Sequence, residues 1–178
     1  CWRTDGTTRF FGEVAEGICS MEEFMAQLSD KQLCDLLGGQ PNLGVANTFG
    51  FGNLPEFGVP SIMTADGPAG LRIKPECGVC TTAFPCATML ACTWNPEIVE
   101  KVGAAGGAEV KENNIAVWLT PAINIHRSPL CGRNFEYYSE DPFLTGRLAA
   151  AMVTGIQSNH VAASVKHFAL KRTVICSA

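Results

Sequence analysis

Pro121-Ala122-Ile123-Asn124-Ile125-His126-Arg127-Ser128-Pro129-Leu130-Cys131-Gly132-Arg133-Asn134-Phe135-Glu136-Tyr137-Tyr138-Ser139-Glu140-Asp141-Pro142 is a long loop dense in Arg, Glu, Asp, Asn and Tyr. An apolar run, Ile115 to Leu119, leads into it. A helical pattern follows, and a second apolar run, Val161 to Val165, delivers Lys166 and His167. Two short buried-strand patterns with a helix between them make a βαβ unit. In such units the polar groups at the C-terminal strand ends form the binding face. The plainer alternative is a set of solvated loop charges.

The same rhythm extends outward. Asp141-Pro142 starts a helix whose buried stripe is Leu144, Leu148, Met152, Val153 and Ile156. Asn95-Pro96 starts another in the same manner, running to about Asn113. Its small face, Gly103, Ala104, Gly106 and Gly107, permits close packing on a sheet. Gly103 to Ala108 lies inside a helix pattern rather than after a strand, which argues against a nucleotide loop. Val59 to Ala65 reads as a strand, stopped by the turn in Asp66-Gly67-Pro68-Ala69-Gly70-Leu71-Arg72 with Asp66 at its tip. Asp66 and Arg72 are either a hydroxyl- or charge-binding pair or a surface ion pair.

Further upstream, residues 38–58 are rich in Gly and Asn with interspersed Phe, and read as either a flexible loop or a substrate-side loop. Before them, Ser20 with Glu23 and Ser29 with Gln32 spell two capping boxes. Phe24, Leu28, Leu33, Leu36 and Leu37 give the two short helices one apolar stripe, which Gly38-Gly39 stops. Residues 1–18 read as an arm or linker. Three strand–helix alternations result, the rhythm of a βα barrel or an open α/β sheet.

Composition narrows the function classes. The 178 residues are 47% apolar and 17% charged, which is globular material. A net charge of −4 without a basic patch argues against nucleic acid as a partner. No apolar run approaches the roughly 20 residues that span a bilayer, and no signal-peptide pattern is visible. The chain begins at Cys1 rather than Met, which leaves an upstream segment open. Nine scattered cysteines fit reduced thiols, and so a cytoplasmic protein, better than a disulfide framework. Cys77, Cys80, Cys86 and Cys92 have unsuitable spacing for zinc and read as incidental buried thiols.

Three strands thus deliver polar groups at their C-terminal ends: Asp66 with Arg72, Arg133 with its acidic loop, and Lys166 with His167. Mixed donors and acceptors match a sugar ring, whose hydroxyls both give and take hydrogen bonds. A phosphate would want the backbone amides of a Gly-rich turn at a helix start. A metal would want clustered His and carboxylates, whereas His126, His160 and His167 are dispersed. No cofactor is expected. On these residues alone Asp66 reads as a catalytic carboxylate.

The blocks Asp66-Gly67-Pro68-x-Gly70, Gly132 to Pro142 and Lys166-His167-Phe168 closely resemble glycoside hydrolase family 3, the β-glucosidase family. Thr82-Ala83-Phe84-Pro85 and Leu90-Ala91-Cys92-Thr93-Trp94 are similar to it as well. The resemblance implies a retaining glycosidase that hydrolyses terminal non-reducing β-D-glucosyl residues of a β-glucoside or oligosaccharide on a (β/α)8 TIM barrel. It implies that Asp66, Arg72, Arg133, Lys166 and His167 grip the glycone, which makes Asp66 a sugar anchor. The family's nucleophile Asp, on a later strand, and its acid/base Glu, usually on a separate α/β sandwich domain, match nothing here. Glu136 and Glu140 are expected to fix Arg133, and Asp141 to cap a helix. A full barrel takes about 250 residues, so residues 19–170 are expected to form an incomplete TIM barrel of about three βα units, inactive alone, with 171–178 an atypical tail. A non-catalytic truncation or pseudogene product is the alternative. Another is a β-N-acetylhexosaminidase of the same family, which Ala169-Leu170 after Phe168 disfavours. Linkage, aglycone and oligomeric state are not legible.

Overall fold

A computed structural model describes residues 7–39 and 44–167. Cys1, Cys176, Phe168 and the tail at 171–178 lie outside the described residues. Within the expected arm or linker, Phe11–Ala15 form a short helix, α1. α2 (Met21–Ala26) and α3 (Asp30–Leu37) follow. Both start on the expected capping boxes. Ser20 Oγ accepts from Glu23 N at 3.1 Å while Glu23 Oε2 accepts from Ser20 N at 2.8 Å. Ser29 and Gln32 repeat the exchange at 3.3 and 2.9 Å, satisfying amides that a helix start leaves unpaired.

These helices cover a small core of their own. Phe24, Leu28 and Leu54 are buried, with Phe11, Val14, Leu33, Leu36 and Phe57 packed around them. The Phe11 and Phe24 rings meet edge-on at 5.5 Å. Leu37 departs from the expected stripe: it is 89% exposed, at the last position of its helix. Within the 38–58 stretch, residues 51–57 are more ordered than a loop. Phe51–Leu54 (β1) pairs antiparallel with Val59–Ile62 (β2), joined by a 3-10 turn at Pro55–Phe57 and Gly58 at φ 73°. The strand expected over Val59 to Ala65 is therefore two. Its second part, Thr64–Ala65 (β3), leaves the hairpin and joins another sheet.

Beyond β3, α4 (Ala87–Ala91), α5 (Pro96–Glu112), β4 (Val117–Trp118), α6 (Pro142–Gln157) and β5 (Ala162–Ala163) complete the described chain. The three strands are parallel in the order β3-β4-β5, with Ala65 opposite Trp118 and Trp118 opposite Ala163. This is a mixed α/β arrangement in which strands consecutive along this part of the chain are neighbours. The ladders outrun the named strands: Leu119 N bonds Ala65 O at 2.9 Å, and Lys166 N bonds Pro121 O at 3.0 Å.

Local chemistry sets the two long helices. Asn95 Oδ1 accepts from Glu97 N at 2.9 Å and Ile98 N at 3.3 Å. Asp141 accepts from Phe143 N at 2.9 Å and Leu144 N at 3.4 Å, and each helix has Pro in its first turn. The glycine face of α5 packs mainly on α6, not only on the sheet as expected. A Cβ at Gly103 would sit 2.6 Å from Met152 O, and one at Gly155 would overlap Glu100 O. Gly106 alone of these meets the sheet, through the ring of Trp118. Trp118, Val99, Val110, Leu148 and Ile156 are the fully buried centre.

The thiols differ from expectation too. Cys34, Cys77, Cys80 and Cys92 are exposed, Cys86 and Cys131 are half-buried, and only Cys19 among the described ones is buried. Among the described residues no group of three or more His, Cys, Asp or Glu is placed to hold a metal. No described helix is long and apolar enough to cross a membrane.

Candidate functional site

Asp66 leaves the end of β3 and is held there by its own backbone. Its amide donates to Asn47 Oδ1 at 3.1 Å, and its carbonyl accepts from Arg72 N at 2.9 Å. Gly67 follows at φ 151°, where a Cβ would overlap Gly70 O, so the turn requires glycine. The carboxylate is thereby presented to Lys166, which stands past the end of β5. Lys166 Nζ donates to Asp66 Oδ1 at 2.7 Å, closing an ion pair across 100 residues.

The loop after β4 supplies the rest. Arg133 Nε donates to Glu136 Oε1, and Glu136 Oε2 lies 3.9 Å from Lys166 Nζ. Arg133 Nη2 meets His167 Nε2 at 2.9 Å. A guanidinium has no acceptor, so His167 Nε2 must accept, and the ring is the neutral Nδ1–H tautomer. That proton points to Asn124 Oδ1 at 3.1 Å, which also accepts from His167 N at 3.1 Å. The Tyr137 ring stands edge-on to His167 at 6.2 Å.

Burial varies sharply inside this set. The Glu136 side chain is 3% exposed, Lys166 16% and Asp66 32%. Burial pushes the Asp66 carboxyl upward in pKa. The Lys166 hydrogen bond and charge, with help from the Gly67 amide and the Arg72 charge, outweigh this and hold it below the usual carboxylate range. Glu136 bonding raises Arg133 above its ordinary value, against a smaller opposing effect of burial. Burial raises Tyr137 and, more strongly, Tyr138.

Four of the five expected sugar-binding residues, Asp66, Arg133, Lys166 and His167, are therefore joined in one network. Among the described residues the Arg72 side chain bonds none: it is exposed, touches Asp66 by its backbone amide, and acts on the carboxylate by charge. The pairing of Asp66 with Arg72 gives way to pairing with Lys166. Of the two glutamates expected to fix Arg133, Glu136 does so, while Glu140 is exposed. Asn124 and Asn47 were not anticipated. The alternation Ile123-Asn124-Ile125 was the available signal, since it turns one polar side chain away from its apolar neighbours.

Fold and rim together define an α/β protein that gathers paired donors and acceptors at the ends of parallel strands. The chain belongs to glycosyl hydrolase family 3: residues 53–174 match the Glycosyl hydrolase family 3 N terminal domain. It is 68% identical over 166 residues to Beta-glucosidase A of Butyrivibrio fibrisolvens, covering 93% of this chain and 20% of that protein. It is 52% identical over 120 residues to Thermostable beta-glucosidase B of Acetivibrio thermocellus, covering 63% and 16%. Among solved structures, a β-glucosidase from Paenibacillus barengoltzii superposes with TM-score 0.82 at 41% identity over 95% of this chain and 19% of that one. Thermotoga neapolitana β-glucosidase 3B in complex with α-D-glucose gives TM-score 0.73 at 45% identity over 83% and 22%. The chain thus spans about a fifth of the length of these relatives.

Proposed function

We propose that this chain forms about the first three βα units of a (β/α)8 barrel and supplies the glycone grip of a retaining β-glucosidase. The substrate class is a terminal non-reducing β-D-glucosyl residue. Asp66 accepts hydrogen bonds from glucose hydroxyls, Lys166 and Arg133 donate to them, and His167 presents a ring edge. Arg72, exposed beside Asp66, closes over the sugar from the solvent side. The observation that carries this reading is the Lys166–Asp66 pair at 2.7 Å, joined through Glu136 to Arg133 and His167.

Retaining hydrolysis needs a nucleophile and an acid/base, two carboxyl groups about 5–5.5 Å apart. Asp66 is held ionised by Lys166, and Glu136 is buried against Arg133. Neither is free to attack an anomeric carbon or to deliver a proton. The resemblance to the family assigns bond breaking to carboxylates outside this chain, on a later strand and on an α/β sandwich domain, and on that reading the chain alone is inactive. The free thiols among the described residues support a cytoplasmic setting.

The test is 4-nitrophenyl β-D-glucopyranoside hydrolysis by the full-length gene product carrying this sequence, beside the 178-residue chain. Expected is turnover by the former, competitive inhibition by glucose, and none by the latter. Steady nitrophenol release by the chain alone would overturn the inactivity, and absence of glucose inhibition of the full-length protein would overturn the glycone reading.

A further inference from the structure

Glu136 ends, and Arg133 caps, a single 3-10 turn, Asn134–Glu136, too short to hold its own shape. Two donors from outside the turn meet its carbonyls. Thr88 Oγ1, from α4, lies 2.9 Å from Asn134 O and 2.8 Å from Tyr137 O. His126 Nε2, from the loop after β4, lies 2.8 Å from the same Asn134 O and 3.0 Å from the same Tyr137 O. Both acceptors are carbonyls, so the imidazole must carry its proton on Nε2. His126 N also donates to Ser139 O at 3.2 Å, and Asn134 Nδ2 to Ser128 O at 2.8 Å.

We propose that Thr88 and His126 are positioning residues, a two-donor clamp that sets where Arg133 and Glu136 stand and so sets affinity for the glycone. This rests on the glycone reading above. Neither residue is bonded to Arg133, Lys166 or His167, so each acts through the turn. The consequence is geometric. Arg133 must reach Glu136 and His167 at once, and Glu136 must also face Lys166. Loosening the turn spoils all of these contacts together, and displacements near 1 Å carry large penalties in a binding site. The clamp also reaches His167 by packing: the His126 ring lies 6.5 Å from Tyr137, whose ring is 6.2 Å from His167. Because the two donors share both carbonyls, losing one leaves the other in service, and losing both leaves Asn134 O with the Tyr137 amide alone, at 3.0 Å, and Tyr137 O without either clamp donor.

Steady-state kinetics of the full-length gene product on 4-nitrophenyl β-D-glucopyranoside, with the glucose inhibition constant and thermal melting, test this. Thr88→Val keeps the shape and removes the donor. His126→Leu removes the donor, and His126→Gln restores an amide N–H at similar reach. Each donor-less variant is expected to raise KM and the glucose constant roughly fivefold, with kcat within about twofold. Thr88→Ser and His126→Gln are expected to stay near wild type, and Thr88→Val with His126→Leu to exceed the product of the single effects. Melting shifts with KM and the glucose constant unchanged would refute the clamp and leave a merely structural pair. A loss in kcat at constant KM would also refute it. Should Thr88→Val not fold, the contrast between His126→Gln and His126→Leu decides. Arg133→Met separates the two readings: if it leaves KM and the glucose constant unchanged, the glycone reading itself fails. If it raises them and the clamp variants do not, only the clamp fails.

Discussion

Asp66→Asn isolates the charge of the central ion pair. Asparagine keeps the shape and one acceptor, and Lys166 is not stranded, because Glu136 remains 3.9 Å away. A hydrogen bond to a charged group contributes about 1.5–3 kcal/mol net. The Asp66 side chain is 32% exposed and Lys166 16%, so solvent screening brings the pair to about 1–1.5 kcal/mol. Urea unfolding of the 178-residue chain at neutral pH should therefore show Asp66→Asn less stable by that amount, roughly a five- to twelvefold change in the folding equilibrium. The pH dependence has a definite sign. Asp66 titrates lower in the folded chain than in the unfolded one. Its contribution is thus complete above the ordinary carboxylate range and is lost as pH falls through the folded value. Subtracting variant from wild type cancels the other carboxylates, so the gap must close on acidification. A gap that stays constant or widens in acid would refute the ion pair as its source.

The glycine contact between the long helices predicts opposite signs on one helix. Gly155→Ala places a Cβ into Glu100 O and 2.7 Å from Ala104 N, and should lower stability by about 2–3 kcal/mol. Gly146→Ala, with nothing within 4 Å of the new Cβ, should raise it by about 0.5–1 kcal/mol, and parallel urea titrations read both. Thiol exposure gives a second check, by timed labelling with an aromatic disulfide reagent in native buffer. Cys34, Cys77, Cys80 and Cys92 should react at once, while Cys19, buried and pushed up in pKa by that burial and by Glu13, should react only on unfolding. Labelling of Cys19 at the rate of Cys34 would contradict the packing of the N-terminal helices.

Features written in neighbouring residues were legible in the sequence. The two capping boxes and the Asn95-Pro96 and Asp141-Pro142 starts are set within three or four positions, so sequence alone carries them. Asp66 and Lys166 were legible as polar tips after apolar runs, but their pairing was not, because it joins residues 100 apart through three intervening α-helices. Arg72, six positions from Asp66, was the nearer candidate, and it acts on the carboxylate by charge while Lys166 makes the hydrogen bond. The β1–β2 hairpin was hidden by its composition. Gly52 at φ 82° and Asn53 at φ 65° occupy left-handed backbone inside a paired strand, and such residues read as loop. The small face of α5 was legible as a close-packing surface, yet periodicity cannot say whether a helix or a sheet approaches it. Here it is chiefly α6.

The charges of the rim also limit what can bind. Asp66 and Glu136 are matched by Lys166 and Arg133, and His167 is neutral by its hydrogen bonds. A neutral polyol can enter this set without altering the balance, because each hydroxyl gives one hydrogen bond and accepts others, fitting between a carboxylate and a cation. An anionic sugar brings an extra negative charge beside Asp66 and Glu136, which are already paired with Lys166 and Arg133, and like charges a few ångströms apart in a partly buried site repel more strongly than the solvent-screened Arg72 attracts. Glucose should therefore inhibit the full-length gene product more strongly than glucuronate, by roughly tenfold for each 1.4 kcal/mol of repulsion. Raising the salt concentration should narrow the difference, since the Asp66 side chain is 32% exposed and its repulsion of a sugar carboxylate is open to screening. Glucuronate binding as tightly as glucose would mean that Lys166, Arg133 or Arg72 gives a sugar carboxylate more than Asp66 and Glu136 take away, and would refute the balance of charge argued from their pairing.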